Sequence, residues 1–147
     1  RRGMTLMPQS ADPRLQRAYD EEAAKTGNPT GNYRVVPEGS PNSLFVAEDL
    51  DKAWREIGPY MLHDATVYGE WLDAVGGGAN TYSAAKTVEQ LRAENGSYRI
   101  VTPEQAVELI GQFGFLGLQP LCGGVPPELA WQSLRLIEDQ VLPALRR

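Results

Sequence analysis

The stretch Phe115-Leu116-Gly117-Leu118-Gln119-Pro120-Leu121-Cys122-Gly123-Gly124-Val125-Pro126-Pro127-Glu128-Leu129-Ala130-Trp131 decides how this chain is read. Its first part, Phe115 to Leu121, is a short apolar run, the pattern of a strand buried on both faces. Two glycines and two prolines interrupt it. Leu134, Ile137, Val141 and Leu145 then recur at helical spacing, with Pro143 placed to kink or end that helix. A strand that turns through glycines into a helix is one βα unit, and the rest of the chain can be searched for the same unit.

Working towards the amino terminus, Tyr98-Arg99-Ile100-Val101 is a brief β-prone run. Thr102-Pro103-Glu104-Gln105 follows it as a capping box, with proline at the first helical position and Ala106, Val107 and Ile110 on the inner face. Thr87-Val88-Glu89-Gln90 is a second capping box, opening a short helix that ends at Asn95-Gly96. Before it, 76–87 has no apolar period and reads as a flexible surface loop. From Leu50 to Val75 the positions Ala53, Trp54, Ile57, Tyr60, Met61, Ala65, Tyr68, Trp71 and Leu72 keep a helical period, with a kink expected at Gly58-Pro59 and Asp49 as cap.

The first third repeats the pattern. Thr5-Leu6-Met7-Pro8 is a short apolar run, Asp12-Pro13 is a helix start, and Leu15, Ala18, Tyr19 and Ala23 carry a helix that Gly27 stops. Of the two β-prone runs Tyr33–Val36 and Ser43–Ala47, one is expected to be a buried strand. The order predicts an α/β chain of about four βα units, a partial (half) TIM barrel forming a single domain over 1–147. The alternative is a small open parallel sheet, although neither Gly-x-Gly-x-x-Gly nor a Gly-Lys-Ser/Thr phosphate loop occurs.

Composition narrows the function classes. A chain of 147 residues has room for one domain with a real core, and its 41% hydrophobic and 22% charged residues are ordinary for a soluble globular protein. No stretch approaches the roughly 20 apolar residues of a membrane span. A net charge of −5 with scattered basic residues leaves no stripe for a phosphate backbone, so nucleic acid is not expected. The single cysteine excludes an internal disulfide and fits a reducing compartment; with no charged-then-apolar leader, the cytoplasm is expected. Arg1-Arg2-Gly3-Met4 reads like a helix end running into a strand, as if the chain were a piece of something longer.

Four residues are candidates for a site. Gly123 and Gly124 would let a phosphate or carboxylate approach backbone amides near a helix start, or they would simply supply the backbone angles of a tight turn. Cys122 is a candidate pocket residue or a small core residue, with no basic neighbour in sequence to activate it. His63, the only histidine, could donate a proton to a ligand. Asp64 points about 100° away from it on a helix, so the two do not make a dyad. No metal site is expected, and the stripe Trp54, Tyr60, Tyr68 and Trp71 reads as core.

Gly58-Pro59-Tyr60-Met61-Leu62-His63-Asp64, Tyr98-Arg99-Ile100-Val101-Thr102-Pro103-Glu104-Gln105-Ala106, Pro120 to Trp131, and the ending Val141-Leu142-Pro143-Ala144-Leu145 together resemble the carboxy-terminal half of bacterial-luciferase-like flavin-dependent monooxygenases. The resemblance runs from about Gly3 to the end. It implies an oxidoreductase barrel binding FMN or a deazaflavin, with chemistry at the carboxy ends of the strands. It covers only half of the family's barrel, so no catalytic residue can be matched and the chain is expected to be inactive alone. A half barrel would expose its strand edges, which implies a homo-oligomer or a missing amino-terminal half. The other readings are a noncatalytic half-barrel assembly module and a small anion-binding α/β domain that takes a small-molecule ligand.

Overall fold

The computed structural model describes residues 5–8, 12–31, 33–37, 39–74 and 81–146. Its helices start and stop where local chemistry says they should. Helix α1 (Pro13–Lys25) is capped by Asp12, whose carboxylate accepts from the Arg14 amide. Strand β1 (Ser43–Val46) leads to α2 (Leu50–Ala74), where Asp49 accepts from the Lys52 amide. Helix α2 carries Pro59 in its interior, which deprives the Arg55 carbonyl of its helical donor. Helix α3 (Val88–Glu94) begins at Thr87 and ends on Asn95 in the left-handed region. Strand β2 (Tyr98–Val101) passes through Thr102 into α4 (Pro103–Phe113), with the reciprocal capping box complete and Gly114 left-handed at its end. A 3-10 turn, Cys122–Gly124, precedes α5 (Pro127–Leu136). A wide π turn, Ile137–Val141, then joins α5 to the short α6 (Leu142–Ala144). The wide turn lies just before Pro143, which has no amide to continue an α-helical ladder.

The sheet has two strands, parallel, with Ser43 opposite Tyr98 and Val46 opposite Val101. Helices α2 and α3 form the crossover between them, as parallel pairing requires. Side chains alternate between two cores. Phe45, Tyr98 and Ile100 pack with Trp54, Ile57 and Met61 of α2 and Leu91 of α3. Leu44, Val46 and Val101 pack with Ala106 and Leu109 of α4 and with Ile137 and Val141. Both faces of the sheet are therefore covered by helices, which is why all four residues of β1 are buried.

This arrangement overturns the half TIM barrel of about four βα units. Among the described residues only two of the expected strands form. Leu6 and Tyr33 make an isolated parallel bridge, and the run to Val36 is otherwise irregular. Phe115 to Leu121, the expected buried strand, is not a strand. It makes one backbone bond to β1, from the Leu44 amide to the Gly117 carbonyl at 3.0 Å. The next outward-facing amide on that edge, Val46, donates instead to the Ser133 hydroxyl of α5 at 2.7 Å. A helical side chain thus occupies the place where a third strand would continue, and the sheet ends there. A barrel also needs an inward strand face filled by other strands, whereas both faces here are packed by helices.

Among the described residues, no helix is long and apolar enough to cross a membrane. Of the expected loop 76–87, residues 76–80 lie outside the described part. Residues 81–87 have no regular structure, yet Ser83 and Ala85 are buried, and Ser83 donates to the Glu94 carboxylate at 2.6 Å.

Candidate functional site

A polar cluster lies inside the larger core, at the amino ends of β1 and β2. Ser43 and Tyr98 are register partners and the first residue of each strand. The Tyr98 hydroxyl donates to Asp64 Oδ2 of α2 at 2.8 Å. The Ser43 hydroxyl donates to Gln119 Oε1 at 3.1 Å. The Cys122 thiol is near enough to Asp64 and Ser43 for both to act on its proton.

Burial dominates the electrostatics. It pushes the Cys122 thiol up to about 12, helped by the neighbouring negative charge of Asp64 and a hydrogen bond to it, while the Ser43 hydroxyl opposes the shift. Cys122 is therefore a neutral thiol at ordinary pH and a poor nucleophile. Tyr98 is shifted upward as well, by burial first and then by its bond to the Asp64 carboxylate. Two protonated donors thus face one carboxylate, an arrangement that holds α2, β2 and the Cys122 turn together.

Gly123 and Gly124 do different jobs. Gly123 has a φ of 58° and lies against the Tyr60 carbonyl of α2, so a Cβ there would collide with that oxygen. Gly124 has a φ of 84° and open space around it. The amides of Cys122, Gly124 and Val125 donate to the carbonyls of Gln119, Leu121 and Cys122. These three amides are held by internal bonds, and the left-handed φ of both glycines is what a tight turn requires.

His63 is exposed on α2, on a different face from Asp64, and makes no hydrogen bond or ion pair with a described residue. The structure thus brings Cys122 and Gly123 together with Asp64 and leaves His63 outside. Among the described residues no group of three metal-ligating side chains occurs. The aromatic stripe divides along its length: Trp54 is buried, Tyr60 and Tyr68 are half-buried, and Trp71 is exposed, edge-on to Tyr68 at 6.3 Å.

Sequence reasoning missed Asp64, Tyr98 and Ser43 as members of the cluster. The only local hint was that Tyr98 opens a strand and Asp64 sits one helical turn after Tyr60; their meeting across 34 positions has no periodic signature. No family model, curated protein or solved structure matches the chain.

Proposed function

We propose that the chain is part of a luciferase-like flavin-dependent oxidoreductase of the monooxygenase type, acting as scaffold beside FMN or a deazaflavin without turnover of its own. One observation carries this reading. The three internal segments that resemble that family meet in a single cluster: Gly58–Asp64 contributes Asp64, Tyr98–Ala106 contributes Tyr98, and Pro120–Trp131 contributes Cys122. Segments scattered over the chain that resemble one family and share a packed centre have a common structural reason to occur together.

The cluster itself does not fit a flavin. Cys122 and Tyr98 are buried, the amides of Cys122, Gly124 and Val125 are internally bonded, and Gly123 packs on Tyr60 with no room for a methyl group. Its residues hold elements in place, and no chemical step is assigned to them. A flavin bound by the parent enzyme would supply the redox chemistry, on surfaces that this chain does not complete.

The test is flavin fluorescence, titrated with the isolated chain and with the product of the complete reading frame that encodes it. Quenching of FMN or deazaflavin by the complete product, with little or none by the isolated chain, is expected. A complete product that leaves both fluorophores unchanged overturns the reading.

A further inference from the structure

The two edges of the small sheet are treated differently. The outer edge of β1 is closed by the Gly117 carbonyl and the Ser133 hydroxyl. On β2, the register turns the amides and carbonyls of Tyr98 and Ile100 away from β1. None of these four groups is hydrogen-bonded to a described residue. Along this edge runs a groove of about 310 Å³, with Trp54 and Asn95 on one wall and Gln105 and Leu109 on the other.

One cation of that groove, Arg99, has no carboxylate partner among the described residues. The half-buried Arg99 guanidinium donates to the carbonyls of Gly96 at 2.8 Å and Gly39 at 2.7 Å, and forms no ion pair with a described carboxylate. Burial alone moves its pKa, downward, as expected for a cation that has lost water and gained no anion. Arg92 at the same groove is paired with Asp51 at 2.7 Å. Glu108 also lines the groove, but it is exposed and out of ion-pair reach of Arg99.

We infer that this groove binds an extended acidic peptide segment of a partner protein, which adds to β2 as a third strand and sets a carboxylate beside Arg99. An extended chain is the occupant whose alternating amides and carbonyls match those of Tyr98 and Ile100. The acidic residue follows from Arg99, because a planar guanidinium with free donors pairs well with a carboxylate. Only two residues of β2 offer backbone partners, so the interaction is weak, with a Kd on the order of 100 µM.

The experiment is fluorescence anisotropy with a labelled, proline-free peptide of alternating valine and threonine around one glutamate. Three controls accompany it: lysine in place of the glutamate, N-methylation of the amides facing β2, and the variants Arg99→Gln and Arg99→Lys. The glutamate peptide is expected to bind. N-methylation should weaken binding by at least about tenfold, and the lysine peptide by about fivefold. Arg99→Gln should remove the preference for glutamate, and Arg99→Lys should retain part of it. Circular dichroism confirms that each variant is folded, and if Arg99→Gln is not, the peptide controls on the unaltered chain decide. No binding by the glutamate peptide at millimolar concentration overturns the inference, as does equal binding of the N-methylated form. A concentration-dependent dimer that excludes the peptide also overturns it, in favour of a second copy on the same edge. None of these outcomes depends on flavin binding.

Discussion

The Val46 amide donates to the Ser133 hydroxyl at 2.7 Å in the buried interior, across 87 positions of sequence. Removing the hydroxyl leaves a buried amide without a partner, at a cost of about 2 kcal/mol. Ser133→Ala should therefore lower the melting temperature by roughly 6 °C for a domain of this size, and hydrogen exchange at Val46 should accelerate. Unchanged exchange at that amide would show that the bond does not close the edge.

Gly123 and Gly124 separate space from backbone strain. Gly124→Ala meets nothing within 4 Å and carries only the positive-φ penalty, about 1 kcal/mol. Gly123→Ala adds a collision with the Tyr60 carbonyl and should cost about 3 kcal/mol or more. Denaturant melts of the two variants measure the difference directly. Equal losses would mean that the turn does not press on α2.

Cys122 and Tyr98 make stability fall at alkaline pH. Their folded-state pKa values lie above their ordinary ones, so the unfolded chain releases these protons first. The contribution is complete below pH 9 and is lost as the pH rises from the ordinary thiol value of 9.0 toward about 12, by at most about 1.4 kcal/mol per pH unit for each group. Cys122→Ala should flatten this slope in denaturant melts at stepped pH. In the native protein at pH 8, the thiol should also react with a maleimide far more slowly than in the denatured chain.

Tyr98→Phe removes the hydrogen bond to Asp64 while keeping the ring in the core. A loss of about 1–2 kcal/mol is expected, since the bond ends on a charged acceptor. Asp64→Asn keeps an acceptor for the Tyr98 hydroxyl and should cost less than Tyr98→Phe. Thermal denaturation of both variants ranks them, and the reverse order would place the main role of Asp64 elsewhere.

The helix boundaries were legible because their causes are local. Asp12, Asp49, Thr87 and Thr102 each satisfy amides within three residues, and Asn95 supplies a left-handed stop, as Gly114, which the sequence reading did not single out, does for α4. At Thr87 even the local reading needed revision: Gln90 reaches the Lys86 amide instead of closing the box on the cap itself. Strand β2 was legible as a short β-prone run and β1 as one of two candidate runs, and Asn95-Gly96 separated α3 from β2. Phe115 to Leu121 carried the same signal and became irregular chain. A strand needs a neighbour's open edge, and only Leu44 was left for it once Ser133 had reached Val46.

Part of the site was legible on the same terms. Gly123 and Gly124 left an anion site and a tight turn open as readings, and a tight turn occupies their position. That Gly123 would press on the Tyr60 carbonyl, and Cys122 lie beside Asp64, depended on how α2 docks.

By itself the sequence determined where helices begin and end, that the β2 run is β-prone, that one of two runs before α2 would be a buried strand, and that Cys122 has no basic neighbour in the chain to activate it. Tertiary structure decided how many strands pair among the described residues, which edge they leave open, and that Asp64, Tyr98 and Cys122 share one buried centre. The division has a physical cause. Caps and turns are satisfied by groups a few residues away, whereas strand pairing and burial depend on partners brought together from 34 to 87 positions apart, for which several competing side chains carry the same local pattern.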